Sequence, residues 1–198
     1  MEKKKVAWRF SSLWSFSYFR RNFKLFFGRA SGFTLVELLV VIGIIGILLS
    51  AALFILNPIG QIQKTNDAKR KSDLAQMQRA LETYFNDTGK YPPSSTLAPT
   101  YRIVNLNNQT ADWGTTLFSP YIASLPKDPK ANQNYVYFAS ADRQSYWLYA
   151  SLEMTNDRQF CRGPGDPSPC ASLTTNGIAT NACGGTCNFA VSSSNVKP

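Results

Sequence analysis

The chain has 198 residues, a formal net charge of +9 and no histidine, which removes the commonest general base, nucleophile activator and zinc ligand. The charge is unevenly placed: residues 1–32 hold eight Lys or Arg against one Glu, a net +7, and the remainder holds thirteen basic against eleven acidic residues, a net +2. That argues against a nucleic-acid-binding role for everything after residue 32, because phosphate binding needs a strongly basic surface.

The first 32 residues read as a basic leader. Lys3, Lys4, Lys5, Arg9, Arg20, Arg21, Lys24 and Arg29 are interleaved with aromatics such as Trp8, Trp14, Phe19 and Phe27. Such a composition places the N-terminus in the cytoplasm by the positive-inside rule. It also suits a basic amphipathic helix lying on the inner membrane face.

From Leu38 to Leu56 no residue is charged, and fourteen are Leu, Ile, Val or Phe. As a helix, residues 33–56 span about 36 Å, enough to cross a hydrocarbon core of about 30 Å. The apolar side runs all the way round, unlike a helix packed on a soluble core. Ala30, Ser31 and Gly32 precede the apolar run rather than follow it, which does not suit a secretory signal peptide. One residue breaks the pattern. Glu37 sits just inside the apolar segment, and an acid there is costly and points to function. Fourteen apolar residues at roughly −0.3 to −0.6 kcal/mol each outweigh one acid at about +3 kcal/mol, so the segment still inserts.

Gly32-Phe33-Thr34-Leu35-Val36-Glu37-Leu38 resembles the processing motif of type IV prepilins and type II secretion pseudopilins. The resemblance implies that a membrane peptidase cuts between Gly32 and Phe33 and methylates the new amine of Phe33. It also implies that Glu37 meets the Phe33 amine of a neighbouring subunit. An amine and a carboxylate about 4 Å apart attract by about 4 kcal/mol at an effective dielectric near 20. A head-to-tail contact of this kind does not close on itself, so it builds a filament.

After Leu56 comes Asn57-Pro58, expected to kink one long helix as it leaves the membrane. An amphipathic stretch follows over residues 59–86. Leu74, Met77, Leu81, Tyr84 and Phe85 form its apolar stripe, with Lys69, Arg70, Lys71, Asp73, Gln76 and Arg79 expected on a solvated face. Gly89 reads as a left-handed cap, and Tyr91-Pro92-Pro93 confirms the stop. Residues 94–130 read as loop, with a turn capped by Asp112. An antiparallel hairpin over 133–152 pairs Tyr135–Ala139 with Tyr146–Leu152, and its aromatics are expected to pack on the helix. The segments around Leu81–Pro92 and Tyr121–Pro129 are also similar to major pseudopilins.

The tail, 157–198, is rich in Gly, Pro, Ser, Thr and Asn and holds all four cysteines, Cys161, Cys170, Cys183 and Cys187. Outside the membrane an even count reads as two disulfides. Three pairings are open. Cys161–Cys170 with Cys183–Cys187 is preferred because both close short loops. A zinc site is the alternative, but the C-x₂-C spacing it favours is lacking. The family resemblance would add a calcium loop after the hairpin. Asp142, Asp157 and Asp166 do not form a calcium pattern, so no metal and no cofactor is assigned.

The expected fold is α+β and pilin-like: a leader at 1–32, a transmembrane and polymerisation helix at 33–56, and a globular head at 57–198 with a small antiparallel sheet and a disulfide-bearing C-terminal region. The expected function is that of a type IV pilus-like filament subunit without catalytic activity. The expected partners are copies of itself, the prepilin peptidase and methylase, an assembly platform with its ATPase, and the cytoplasmic membrane. The hairpin leans toward a type II secretion pseudopilin and the cysteine tail toward a pilin; a DNA-uptake filament is also open. Two readings from other classes are a non-polymerising anchored binding domain and an anchored enzyme. No nucleophile–base spacing supports the latter.

Overall fold

The computed structural model describes residues 32–97 and 100–198. The basic leader therefore lies outside the described residues except for Gly32. The chain divides near Ala52 into two units.

Among its described residues the first unit is helical. Helix α1, Leu35–Leu56, has 22 residues, and its stretch Leu35–Leu53 is long and apolar enough to cross a membrane. Leu, Ile and Val side chains are exposed on every side of it, from Leu35 at 79% to Leu53 at 63%.

Helix α2, Pro58–Thr88, lies in the second unit. A single kinked helix was expected through Asn57-Pro58. Instead the helix stops and restarts. Asn57 is left-handed (φ 39°), and its Oδ1 accepts the Gly60 N–H at 3.2 Å. Proline has no N–H to give to the preceding turn and fits best as the first helical residue. Asparagine is one of the few residues that tolerates the left-handed turn this requires. At the other end the helix runs to Thr88, and Gly89 (φ 72°) closes it with its N–H on the Phe85 carbonyl at 2.7 Å.

The buried stripe of α2 is Asp67, Arg70, Asp73, Leu74, Met77, Ala80, Leu81 and Tyr84. Lys69, Gln76 and Arg79 are exposed, as their spacing requires. Arg70 and Asp73 are not on the solvated face. Arg70 lies four residues before Leu74 and seven before Met77, so it continues the apolar stripe. Its guanidinium is buried against three carboxylates instead of against apolar groups.

A small hairpin, β1 (Ile103–Val104) with β2 (Thr110–Ala111), occupies part of the expected loop region. The main sheet has three antiparallel strands in the order β3 (Val136–Ala139), β4 (Tyr146–Ala150), β5 (Phe189–Ser192). Val136 lies opposite Tyr149, and Ala150 opposite Phe189. The hairpin stands as expected, but β5 comes from the cysteine tail and completes the sheet.

Alternation along the strands sends side chains to two different cores. Tyr135, Tyr137, Tyr146, Leu148 and Phe189 join Leu74, Met77, Leu81 and Tyr84 of α2. Val136, Tyr149 and Ala190 join Cys170, Leu173, Ile178, Cys183 and Cys187 of the tail, with Phe138 and Trp147 packed beside them. Only half of the hairpin aromatics therefore face the helix. Two buried hydroxyls tie the sheet to other elements: Tyr135 donates to Asp73 at 2.7 Å, and Tyr137 to the Pro92 carbonyl at 2.6 Å.

The tail is tied to this sheet throughout. Cys161 is joined to Cys170 and Cys183 to Cys187, across Cα separations of 5.1 and 5.5 Å. A short helix, α3 (Ala171–Thr175), seats Leu173. Asn188 acts as an extra rung beside β4, accepting the Leu152 N–H at 2.8 Å and donating to its carbonyl at 3.1 Å. Gly184 (φ 77°) lies so close to the preceding loop that a Cβ there would run into the Asn132 carbonyl and sit 2.9 Å from the Gln133 Cα. Gly184→Ala is expected to destabilise the head by about 2–4 kcal/mol, from left-handed strain and overpacking together. Urea unfolding followed by tryptophan fluorescence reads that loss directly.

Candidate functional site

The residues singled out by sequence lie at the start of α1. Gly32 and Phe33 lie in neither helix nor strand and are exposed, with Phe33 at 83%. A bond held in no secondary structure is open to a peptidase. Thr34 and Glu37 then form a reciprocal capping box. The Thr34 N–H and Oγ1 both donate to Glu37 Oε2, at 3.1 and 3.0 Å, and the Glu37 N–H donates to Thr34 Oγ1 at 3.2 Å. This is the S/T-x-x-E signature at a helix start. The pattern was legible in Thr34-Leu35-Val36-Glu37, but sequence reasoning gave Glu37 only an intermolecular partner. The box folds the carboxylate back onto Thr34 at the start of the helix. It also places a negative charge at the positive end of the helix dipole. Among the described residues, Glu37 Oε1 accepts no hydrogen bond.

The other sites raised by sequence lie in the head. The four cysteines sit in or beside the second core, and none is free, an arrangement without a thiolate to hold zinc. Asp142, Asp157 and Asp166 are in separate turns and each is already engaged. Asp142 accepts from Ser140 Oγ (2.5 Å) and the Gln144 N–H, Asp157 from Lys71 Nζ (2.6 Å), and Asp166 from the Ser168 N–H. Calcium needs six to eight oxygens converging on one point, and these acids do not fit it. Among the described residues no group of three His, Cys, Asp or Glu side chains is placed to hold a metal. Nor do the hairpin aromatics make an open ligand platform, since Tyr135, Tyr137, Tyr146 and Tyr149 are fully buried.

Comparison with known proteins gives two family matches in tandem. The Prokaryotic N-terminal methylation motif covers residues 28–53, and Type II secretion system (T2SS), protein G covers residues 57–153. The Type II secretion system core protein G of Aeromonas hydrophila is 36% identical over 104 residues, which are 52% of this chain and 70% of that protein. The chain belongs to the type II secretion system protein G family.

The same protein of Escherichia coli K12 is 33% identical over 121 residues, covering 61% of this chain and 79% of its own. That of Vibrio cholerae is 30% identical over 115 residues, or 58% and 75%. No solved structure is a significant match. As a member of the protein G family the chain is a pilin-like subunit of the major pseudopilin type. The family match ends at residue 153, while the fold of this pseudopilin goes on. Its third main strand, the cover of its second core and both disulfides come from residues 160–192.

Proposed function

We propose that the chain is made as a single-pass inner-membrane precursor with its N-terminus in the cytoplasm, cut after Gly32, methylated on Phe33 and polymerised into the pseudopilus of a type II secretion system. It acts as a structural subunit and catalyses nothing itself. The observation that carries this reading is Glu37, an acid held by a capping box at the head of a helix whose apolar surface is exposed all round. Before assembly, lipid covers that surface. In a filament, neighbouring copies of α1 replace the lipid, with Gly43, Gly46, Ser50 and Ala51 allowing close approach.

The capping box also deals with the cost of an acid near the bilayer. Glu37 Oε2 is satisfied by its own chain, and Oε1 remains for the Phe33 amine of the next subunit. The peptidase and methylase, the assembly platform and its ATPase are the partners this cycle requires. Mass spectrometry of sheared filaments tests the processing step. The N-terminal peptide is expected to begin at Phe33 and to be one methyl group heavier than the unmodified sequence. Surface-recovered protein that still begins at Met1 would overturn the proposal.

A further inference from the structure

The family resemblance implies calcium, and the acids of the tail do not fit it. The head does contain one place where three carboxylates from distant segments meet. Asp67 comes from α2, Asp128 from the loop before β3, and Glu153 from the segment after β4. At their centre is Arg70, with no exposed surface. Its Nε donates to Asp128 Oδ2 at 2.8 Å and its Nη2 to Asp128 Oδ1 at 3.0 Å, a two-pronged fork. Nη1 donates to Asp67 Oδ1 and Glu153 Oε1, both at 2.8 Å, and Nη2 also reaches Gln133 Oε1 at 2.5 Å. All five N–H groups of a guanidinium are thereby used.

The acids are satisfied in turn. Asp67 accepts the backbone N–H groups of Glu153 (3.0 Å) and Met154 (2.8 Å), Asp128 accepts that of Lys130 (2.8 Å), and Glu153 pairs with Lys130 Nζ at 2.6 Å. A buried charge cluster holds only when every member is partnered in this way. Burial alone would lower the Arg70 pKa. Hydrogen bonds to Asp128, Glu153 and Asp67 outweigh it and raise the pKa further above its already high ordinary value, so the cation is permanent.

We propose that Arg70 is the resident cation of this pseudopilin head: its guanidinium joins three chain segments in the role a bound calcium would play, and the head folds and stays folded without divalent ions. The planar guanidinium grips Asp128 with two prongs and leaves Nη1 for one bond each to Asp67 and Glu153, an arrangement a lysine ammonium does not reproduce. The spacing of the donors also explains why the three carboxylates tolerate one another.

The test uses the full-length protein in detergent, with thermal unfolding read by circular dichroism. Wild-type protein is expected to melt at the same temperature in excess EGTA and in excess calcium chloride. A calcium site filled a hundredfold above its dissociation constant would raise the midpoint by about 5 °C or more, and such a rise would overturn the proposal.

The second arm is Arg70→Met at two pH values. The groups facing position 70 are Asp67, Asp128 and Glu153, with Lys130 on Glu153 and the Asp73–Tyr135 pair next in line. In the wild type, burial pushes Glu153 up, but Lys130, Arg70 and Asn66 outweigh this and hold it below the usual carboxylate range. Its stabilising contribution is therefore present above that range and lost as pH falls. Without Arg70 the sign reverses, because uncompensated buried carboxylates favour their protonated form. Arg70→Met is expected to melt about 10 °C below the wild type near pH 7, and the gap is expected to narrow near pH 5. A gap independent of pH would mean that Arg70 only fills space, and would overturn the assignment. If the variant does not fold, the EGTA comparison on wild-type protein still decides. Neither arm depends on filament formation, so failure here leaves the proposed secretion role standing, and the reverse.

Discussion

Glu37→Ala is expected to leave the head folded and the precursor in the membrane, and to abolish filament formation. The helix that follows Glu37 has an apolar side chain facing every direction, with Phe33 and Leu35 at about four-fifths exposure. Apolar packing of such a surface has no preferred axial register, since any sliding of one copy along another buries similar groups. A charged pair is what selects one register. At about 4 Å and an effective dielectric near 20 its attraction is about 4 kcal/mol, close to a thousandfold in each subunit contact. A polymer multiplies that loss over every contact it makes. Alanine also removes the bonds from Thr34 to Glu37 Oε2, a loss of about 1 kcal/mol at the helix start. Glu37→Gln separates the two effects, because the amide oxygen still accepts from Thr34 while the charge is gone. Sheared-filament yield against total membrane-bound subunit is the measurement. Normal filaments from Glu37→Gln would remove the charged pair from the account.

Truncation after Glu153, the boundary of the family match, is expected to prevent the head from folding. The segment removed supplies Phe160, Leu173, Ile178 and Phe189 to the two cores, all 5–0% or 7% exposed. Each is worth about 1.5–3 kcal/mol when buried. Their sum is comparable with the whole stability of a typical domain, about 5–15 kcal/mol. The truncation would also uncover Val136 and Tyr149 and leave β4 as an edge strand, which invites edge-to-edge association. Limited proteolysis and near-ultraviolet circular dichroism distinguish the outcomes. A cooperative melt in the truncated protein would show that the family-matched segment is sufficient by itself, and that the tail is an appendage.

The contrast between Glu37 and Arg70 shows what could be read before the fold was known. Glu37 is conspicuous because its neighbours are uniformly apolar, and its capping partner lies three residues away. Arg70 stands among Lys69, Lys71 and Asp73, in a run that looks like an ordinary solvated face. Its place on the buried stripe follows from the spacing to Leu74 and Met77. Its partners, Asp128 and Glu153, are 58 and 83 residues further along, and no local pattern connects them.

The strands divide in the same way. The aromatic and β-branched residues from Tyr135 to Ala139 mark a strand, but they do not say what covers each of its two faces. In the tail, the glycines and prolines read as loop. Phe189–Ser192 is too short to stand out as a strand until β4 offers it a partner.

The sequence by itself determined the long apolar helix, the N-terminal methylation motif, the amphipathic helix and the hairpin, because each rests on contacts within a few residues or on apolar periodicity. Only the tertiary structure decided that the cysteine tail is the third strand and the second core, and that a buried arginine joins three segments. Those depend on pairings between distant residues, 39 to 45 positions apart where β5 meets β4 and 58 and 83 apart at Arg70, and their energy exists only once the chain has closed on itself.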